Sequence, residues 1–379
     1  MKYIFPQISH IGQVLPHIEG RSEFVVAQRE HYTIIDYMVN KKDTFDLIDE
    51  NDLGGKIRRE VRGLIFSLDG KLISRPFHKF FNVNEREETQ ESVIQELMSN
   101  SSYTIMRKED GSMVRPLIID KKVVLGTKMG HYTDVAKEAT KLLTEGQKFW
   151  LEHEILAGNT PILEYVGPEN KIVLQYNEPK LILLNIRHNL TGKYFKYLPN
   201  YIPFECVKYY NSTELSFSEY VKDVRGRIDV EGDILQFDNG HMIKIKADQY
   251  VLMHKTKDDI RSDKNITELY MKNELDDKIP LLDATDRQYV MDYITQFEND
   301  TENVLDRLIG LYGIAVTVYD KNPKRIALEF VPNLLQKADA SFIFAMIRGQ
   351  DLRTLVDEYI LRHLGSGTKF DELIGWMKA

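Results

Sequence analysis

Lysine is the residue type whose spacing in this chain could do chemistry. Lys108 stands in Arg107-Lys108-Glu109-Asp110-Gly111-Ser112, directly after the apolar Tyr103-Thr104-Ile105-Met106 and ahead of Met113-Val114-Arg115-Pro116-Leu117-Ile118. The pattern predicts a lysine at the end of one strand, a turn at Asp110-Gly111 and a second strand, because Asp-Gly suits the backbone of tight turns. A lysine presented on a turn beside a carboxylate could be a covalent nucleophile. The same short pattern equally suits a solvated hairpin tip. Lys244 and Lys246 lie in His241-Met242-Ile243-Lys244-Ile245-Lys246, where alternation puts Ile243 and Ile245 on one face and both lysines on the other. On the strand alone, a half-buried strand with a solvated lysine face accounts for them.

Around these lysines runs an ordered series of charged residues. Arg62 stands in Glu60-Val61-Arg62-Gly63, Lys79 in His78-Lys79-Phe80-Phe81-Asn82 and Lys128 in Thr127-Lys128-Met129-Gly130. Glu164 follows in Leu163-Glu164-Tyr165-Val166 and Glu231 in Val230-Glu231-Gly232-Asp233. Other chemistries lack their signatures. Gly365-Ser366-Gly367-Thr368-Lys369 has neither the spacing of a Walker-A loop nor a preceding strand, and no G-x-G-x-x-G or serine or cysteine triad pattern is present. Glu152-His153-Glu154 has no supporting metal ligands and reads as a helix or strand edge.

The elements that must position these residues are mostly short strands. To about residue 82 the chain predicts strands at 24–27 and 32–37, a loop at Asp52-Leu53-Gly54-Gly55-Lys56, and a hairpin of 63–67 with 71–74 around Leu68-Asp69-Gly70. A short helix is expected at 87–98 and a capped amphipathic helix at 133–143. Segments 114–119 and 123–127 flank Asp120-Lys121-Lys122 as a hairpin; 162–166, 172–175 and 181–186 predict three strands. Asp238-Asn239-Gly240 predicts a hairpin of 233–237 with 241–246. Past 254 helical spacing takes over, at 266–275, 287–297, 301–312 and 352–364, with Tyr293, Phe297, Leu305, Leu308, Phe342, Phe344, Leu355 and Tyr359 as expected core. The boundary is expected near 255–257, dividing the chain into 1–256 and 257–379.

The 379 residues suffice for two domains, and 42% hydrophobic with 28% charged residues is an ordinary globular composition. The net charge of −8 argues against a generic nucleic-acid coat, though a local basic groove outweighs the sum. A single cysteine, Cys206, excludes an internal disulfide and a multi-cysteine zinc site. The apolar runs are too short to span a bilayer, and Met1-Lys2-Tyr3-Ile4-Phe5-Pro6 lacks a signal-peptide core. A cytoplasmic monomer without membrane contact is expected.

Taken in order, the motifs resemble the phage T4 RNA ligase 1 family, within the covalent nucleotidyltransferase superfamily of ligases and capping enzymes. Arg62-Gly63 before an apolar strand, Lys79-Phe80-Phe81-Asn82, Lys108-Glu109-Asp110-Gly111-Ser112 and Lys244-Ile245-Lys246-Ala247-Asp248-Gln249-Tyr250-Val251 carry the resemblance. Glu164-Tyr165-Val166-Gly167-Pro168-Glu169-Asn170-Lys171-Ile172-Val173-Leu174 and Leu181-Ile182-Leu183-Leu184-Asn185-Ile186-Arg187 add to it, over about 32–250. It implies an α+β fold: a nucleotidyltransferase domain of antiparallel sheets with flanking helices, then an all-α C-terminal domain favouring tRNA.

The implied activity is ATP-dependent RNA joining through lysyl-AMP and RNA-adenylate, with Lys108 attacking the α-phosphate. A free lysine is almost fully protonated at neutral pH, so neighbouring cations and partial burial are expected to favour its neutral form. Lys244 and Lys246 would supply that field and neutralise phosphate charge; Mg²⁺ or Mn²⁺ would share the work. The resemblance makes Arg62, Lys79 and Lys128 phosphate or nucleotide contacts, Tyr37 an ATP contact, and Glu164 a ribose contact. It makes Glu231 a metal-linked or lysine-orienting carboxylate and Asp276 a metal contact. The RNA partner would be single-stranded or a cleaved tRNA with 5′-phosphate and 3′-hydroxyl ends, as in anticodon-loop repair. The alternatives are a DNA ligase or capping guanylyltransferase, which usually carry a β-rich OB domain after the second lysine pair, and a non-catalytic RNA-binding relative.

Overall fold

The computed structural model describes residues 4–41, 43–49, 51–195, 201–210 and 213–379. The chain divides into two compact units, Met1–Val251 and Leu252–Ala379. The division falls inside the helix Asp248–Asp259, a few residues before the expected 256/257.

In the first unit, β1 (Phe24–Gln28), β2 (Thr33–Tyr37), α1 (Leu53–Glu60), β3 (Leu64–Phe66), β4 (Leu72–Ser74) and β5 (Phe81–Asn82) come first. They lead into α2 (Glu91–Asn100), β6 (Tyr103–Lys108), β7 (Ser112–Ile119), β8 (Lys122–Gly126), α3 (Asp134–Lys141) and α4 (Glu145–Leu156). Next are β9 (Asn159–Val166), β10 (Lys180–His188), β11 (Glu205–Cys206), β12 (Tyr209–Tyr210) and α5 (Phe217–Arg225). The unit closes with β13 (Gly232–Phe237), β14 (Met242–Lys246) and the start of α6 (Asp248–Asp259).

These strands form three sheets, in the orders β1-β2-β3-β4, β11-β10-β9-β7-β8 and β12-β6-β13-β14-β5. Pairing is antiparallel except for β10 with β11 and β14 with β5. The two five-stranded sheets share an apolar layer of Phe77, Phe80, Met106, Ile162, Val166, Ile182, Val207, Ile234 and Met242. Helices α2 and α5 cover the outer face of one, against Ile105, Leu235, Ile243 and Ile245. Helices α3 and α4 lie near the other, against Val114, Leu163 and Leu183. Alternation drives this arrangement: β6, β9, β10, β13 and β14 each give one face to the shared layer and the other to a helix-covered side.

Several local expectations change. Segment 52–56 is not a loop, because Asp52 caps α1 by accepting from Gly55 N at 2.8 Å. That cap outweighs the weak helix propensity of Gly54-Gly55. No strand forms at 172–175; the N–H groups of Val173 and Leu174 donate to the Asp110 carboxylate, at 2.8 and 2.7 Å, rather than to a neighbouring strand. The main change is at Lys108. Strands β6 and β7 are not a hairpin: β6 pairs with β13 and β12, whereas β7 pairs with β8 and β9. Residues 109–111 carry the chain from one five-stranded sheet to the other.

The second unit holds the rest of α6, then α7 (Asp263–Met271), α8 (Ala284–Thr317), α9 (Pro323–Arg325), a π-turn at Ile326–Phe330, α10 (Asp339–Ile347), α11 (Leu352–His363) and α12 (Gly367–Met377). The two helices expected at 287–297 and 301–312 are one helix of 34 residues, since Glu298-Asn299-Asp300 contains no breaker. Its core gathers Phe297, Leu305, Leu308, Phe342, Val356, Ile360, Leu373 and Trp376, with Tyr293, Leu355 and Tyr359 partly buried around it. Phe344 joins a second cluster, with Ile326, Leu334 and Ile343. No described helix is long and apolar enough to cross a membrane.

Candidate active site

Three adjacent strands bring the lysines together. Register places Lys108, the last residue of β6, opposite Gly232, and Gly232 opposite Lys246 on β14. Glu231 directly precedes Gly232 and is buried, with 3% of its surface exposed. Its Oε2 lies 2.8 Å from Lys108 Nζ and its Oε1 3.1 Å from Lys246 Nζ. One carboxylate thus orients both ammonium groups. Glu231 is the carboxylate nearest Lys108 Nζ. The cationic crowding falls on Lys244. Burial first, then the charges of Arg62, Lys79, Lys108 and Lys246, push the Lys244 pKa down to about 7.

Residues 109–111 are fastened at every position. Asp110 Oδ2 accepts from Val173 N and Leu174 N, and Oδ1 accepts from the Tyr250 hydroxyl at 2.7 Å. The Tyr176 hydroxyl accepts from Asp110 N at 3.1 Å and donates to Glu109 Oε2 at 3.0 Å. Gly111 N donates to Glu164 Oε1 at 3.2 Å. A Cβ at Gly111 would stand 2.3 Å from the Tyr165 carbonyl oxygen, so the close approach of the two segments requires glycine there.

Glu164 faces Lys108 from β9 of the other sheet. Burial pushes its carboxyl up to about 8; the Lys108 charge opposes that rise and Glu231 adds to it. Tyr37, Arg62, Lys79, Lys108, Glu164 and Lys244 line one cleft between the sheets, floored by the apolar side chains of Phe77, Phe80, Met106 and Ile234. The cavity holds about 230 Å³ and opens to solvent, just under the roughly 300–1,000 Å³ of small-molecule sites. The ammonium of Lys244 and the guanidinium of Arg62 lie 5.7 and 5.8 Å from the Phe80 ring. Lys79 and Lys128 each place Nζ 5.2 Å from the Tyr37 ring centroid. Lys128 also pairs with Asp36, at 3.3 Å.

Of the expected residues, Tyr37, Arg62, Lys79, Lys108, Glu164 and Lys244 line this cleft, Glu231 and Lys246 attach to it through Lys108, and Lys128 attaches through Tyr37. Asp276 lies exposed on the turn after α7, in the second unit. Among the described residues no group of three or more His, Cys, Asp or Glu side chains is placed to hold a metal. Of the carboxylates near Lys108, Glu109 and Glu164 line the cleft and Glu231 pairs with the lysine.

Tyr250, Tyr176, Glu109 and Asp36 join the site without a role expected from the motifs. Tyr250 had a local signal, since it stands four residues after Lys246 and its ring lies 5.0 Å from that lysine's Nζ. Tyr176 and Asp36 had none, because their partners are distant in sequence.

The sequence profile of the RNA ligase family matches residues 60–260. A protein of Thermovibrio ammonificans provisionally named RNA ligase is 32% identical over 187 residues, covering 48% of this chain and 46% of that protein. The chain therefore spans less than half the length of that relative. RNA ligase 1 of bacteriophage TS2126 is 24% identical over 276 residues, covering 69% of this chain and 66% of its own. A solved structure of an archaeal ATP-dependent RNA ligase aligns over 89% of this chain and 95% of its own, at 13% identity and a TM-score of 0.47. With the family profile matched over more than half of its 379 residues, across the strands that carry Lys108, Glu231, Lys244 and Lys246, the chain belongs to the T4 RNA ligase 1 family of RNA ligases.

Proposed function

We propose that the chain is an ATP-dependent RNA ligase in which Lys108 is the covalent nucleophile. The observation that carries this reading is the placement of Lys108: at a sheet crossing, paired to buried Glu231 and facing a cleft lined by Arg62, Lys79 and Lys244. A cleft with that many cations and an apolar floor suits a nucleoside triphosphate, whose base takes the apolar surface and whose phosphates take the charge.

In the first step Lys108 Nζ loses a proton, for which Glu231 at 2.8 Å is the placed acceptor, and attacks the α-phosphorus. An N–P bond forms as the bond to the bridging oxygen of the β-phosphate breaks, and pyrophosphate leaves. Lys244, Lys246, Arg62 and Lys79 stabilise the charge gathering on the phosphate oxygens. In the second step an RNA 5′-phosphate oxygen displaces Lys108 from phosphorus. In the third, a 3′-hydroxyl attacks the activated 5′-phosphate, forming the phosphodiester and releasing AMP. A hydrated magnesium or manganese ion would be held here mainly by the phosphate oxygens of the nucleotide, with Glu231 beside Lys108 as the carboxylate to share it, rather than in an all-protein cage. When bound, that ion neutralises phosphate charge.

The specific reading is joining of single-stranded RNA ends, with repair of cleaved tRNA anticodon loops as the setting. The described residues of 252–379 form helices and no strand, which favours an RNA ligase over a DNA ligase or capping enzyme with an OB domain. The test is incubation with labelled ATP and Mg²⁺. A label that survives denaturation is expected, lost in Lys108→Ala while nucleotide binding persists; a label remaining on Lys108→Ala refutes the assignment. A panel of ATP, GTP and NAD with single-stranded 5′-phosphate RNA, nicked duplex and cleaved tRNA stem-loops then fixes the substrate. Sealing of nicked duplex alone overturns the RNA ligase reading.

A further inference from the structure

Asp36, beside Tyr37 on β2, is a buried carboxylate (2% exposed) with neither oxygen in a well-formed hydrogen bond. An ionised group in that state is costly and persists where a cation compensates it. Lys128 Nζ stands 3.3 Å from Asp36 Oδ2. Fully buried Arg115, on β7, contributes a second, more distant charge; its guanidinium is committed to the carbonyls of Gly63 and Thr127. Burial pushes the Asp36 carboxyl up, and Lys128 is the first of the charges that oppose it.

Lys128 is itself packed against the cleft wall. A Cβ at Gly63, the neighbour of cleft-lining Arg62, would stand 3.2 Å from Lys128 Cα, so the two backbones touch. Its ammonium lies as close to the Tyr37 ring as that of Lys79 does, 5.2 Å in each case. Tyr37 and Lys79 line the cleft. A lysine stem is flexible, and this side chain is 47% exposed, so the backbone alone does not hold its charge at the wall.

We propose that Asp36 is a positioning residue for polyphosphate binding: it anchors the Lys128 ammonium against Tyr37, so that Lys79 and Lys128 meet the phosphate chain of the nucleotide together. The inference rests on the ATP-binding reading of this cleft and assigns its phosphate selectivity partly to a residue that never touches the phosphate. Losing the alignment of one charged hydrogen bond to the phosphate chain forfeits about a tenfold share of affinity.

The test measures dissociation constants of the full chain for ATP, inorganic tripolyphosphate and AMP by titration calorimetry, alongside the KM for ATP in lysine labelling. Asp36→Asn is expected to weaken ATP and tripolyphosphate about tenfold and leave AMP unchanged, raising KM with little change in kcat. Lys128→Met is expected to give the same loss, and Asp36→Asn combined with Lys128→Met no more than Lys128→Met alone. Asp36→Ser serves if the asparagine variant does not fold. Unchanged tripolyphosphate affinity, an equal loss for AMP, or additive losses in the double variant each overturn the proposal. A wild-type chain that binds tripolyphosphate but forms no lysyl adduct refutes the ligase reading instead and leaves this one standing.

Discussion

Lys244 sits among Arg62, Lys79, Lys108 and Lys246 with its pKa pushed down to about 7, chiefly by burial. A polyanion reverses the balance of charge there, so ATP binding should drive a proton onto this amine. Calorimetry in two buffers of different ionisation heat, at pH 7.5–8, should show proton uptake in the wild type and less in Lys244→Met. The ATP affinity should weaken as pH rises above about 7, and weaken less in the variant. Glu164 titrates with the opposite sense. Its folded pKa of about 8 lies above the ordinary 4.5, so its contribution to stability is complete at low pH and lost as pH rises towards 8. Glu164→Gln removes that loss, so its stability relative to wild type, followed by urea unfolding, should improve from pH 4.5 to 8. A constant difference across that range would refute the neutral carboxyl. Lys244 contributes stability in the other direction, at higher pH, so the interval from 4.5 to 7 isolates Glu164.

Segment 109–111 is the element that makes a surface lysine pattern into a site. Its flanking strands were legible from alternation and the Asp-Gly pair, but a strand does not encode which neighbour it pairs with. Locally, Lys108-Glu109-Asp110-Gly111 suits a hairpin tip as well as a crossing. The crossing is decided by contacts distant in sequence: Gly232 beside Lys108, Tyr165 against Gly111, and Val173, Leu174 and Tyr250 on Asp110. Asp110→Ala would strand two backbone N–H groups and a tyrosine hydroxyl near Lys108. A loss of about 2–4 kcal/mol is expected, read by denaturant unfolding, together with loss of lysine labelling. A loss below about 0.5 kcal/mol would show that water replaces the carboxylate readily.

At the scale of the molecule, the two units each have their own apolar core, one between and around the sheets and one around α8. Units with separate cores need not unfold together. Calorimetry is expected to resolve two transitions, and ATP should raise only the one belonging to the first unit, where the cleft lies. A single transition shifted as a whole by ATP would instead show the units coupled.

The amino-acid sequence by itself determined the periodicities, the hairpins at Asp120-Lys121 and Asn239-Gly240, and the series of charged residues with their order along the chain. These are local properties, carried by residue type and by spacing over a few positions. The family could be recognised because its motifs are short and ordered. What only the tertiary structure decided was which of those residues meet. Glu231 reaches Lys108 and Lys246 because three strands align, and Asp36 reaches Lys128 because β2 and the turn after β8 come together. The pKa of Lys244 follows from burial and from four cations assembled from different elements. Strand pairing and charge proximity depend on separations through space, and no spacing along the chain encodes them.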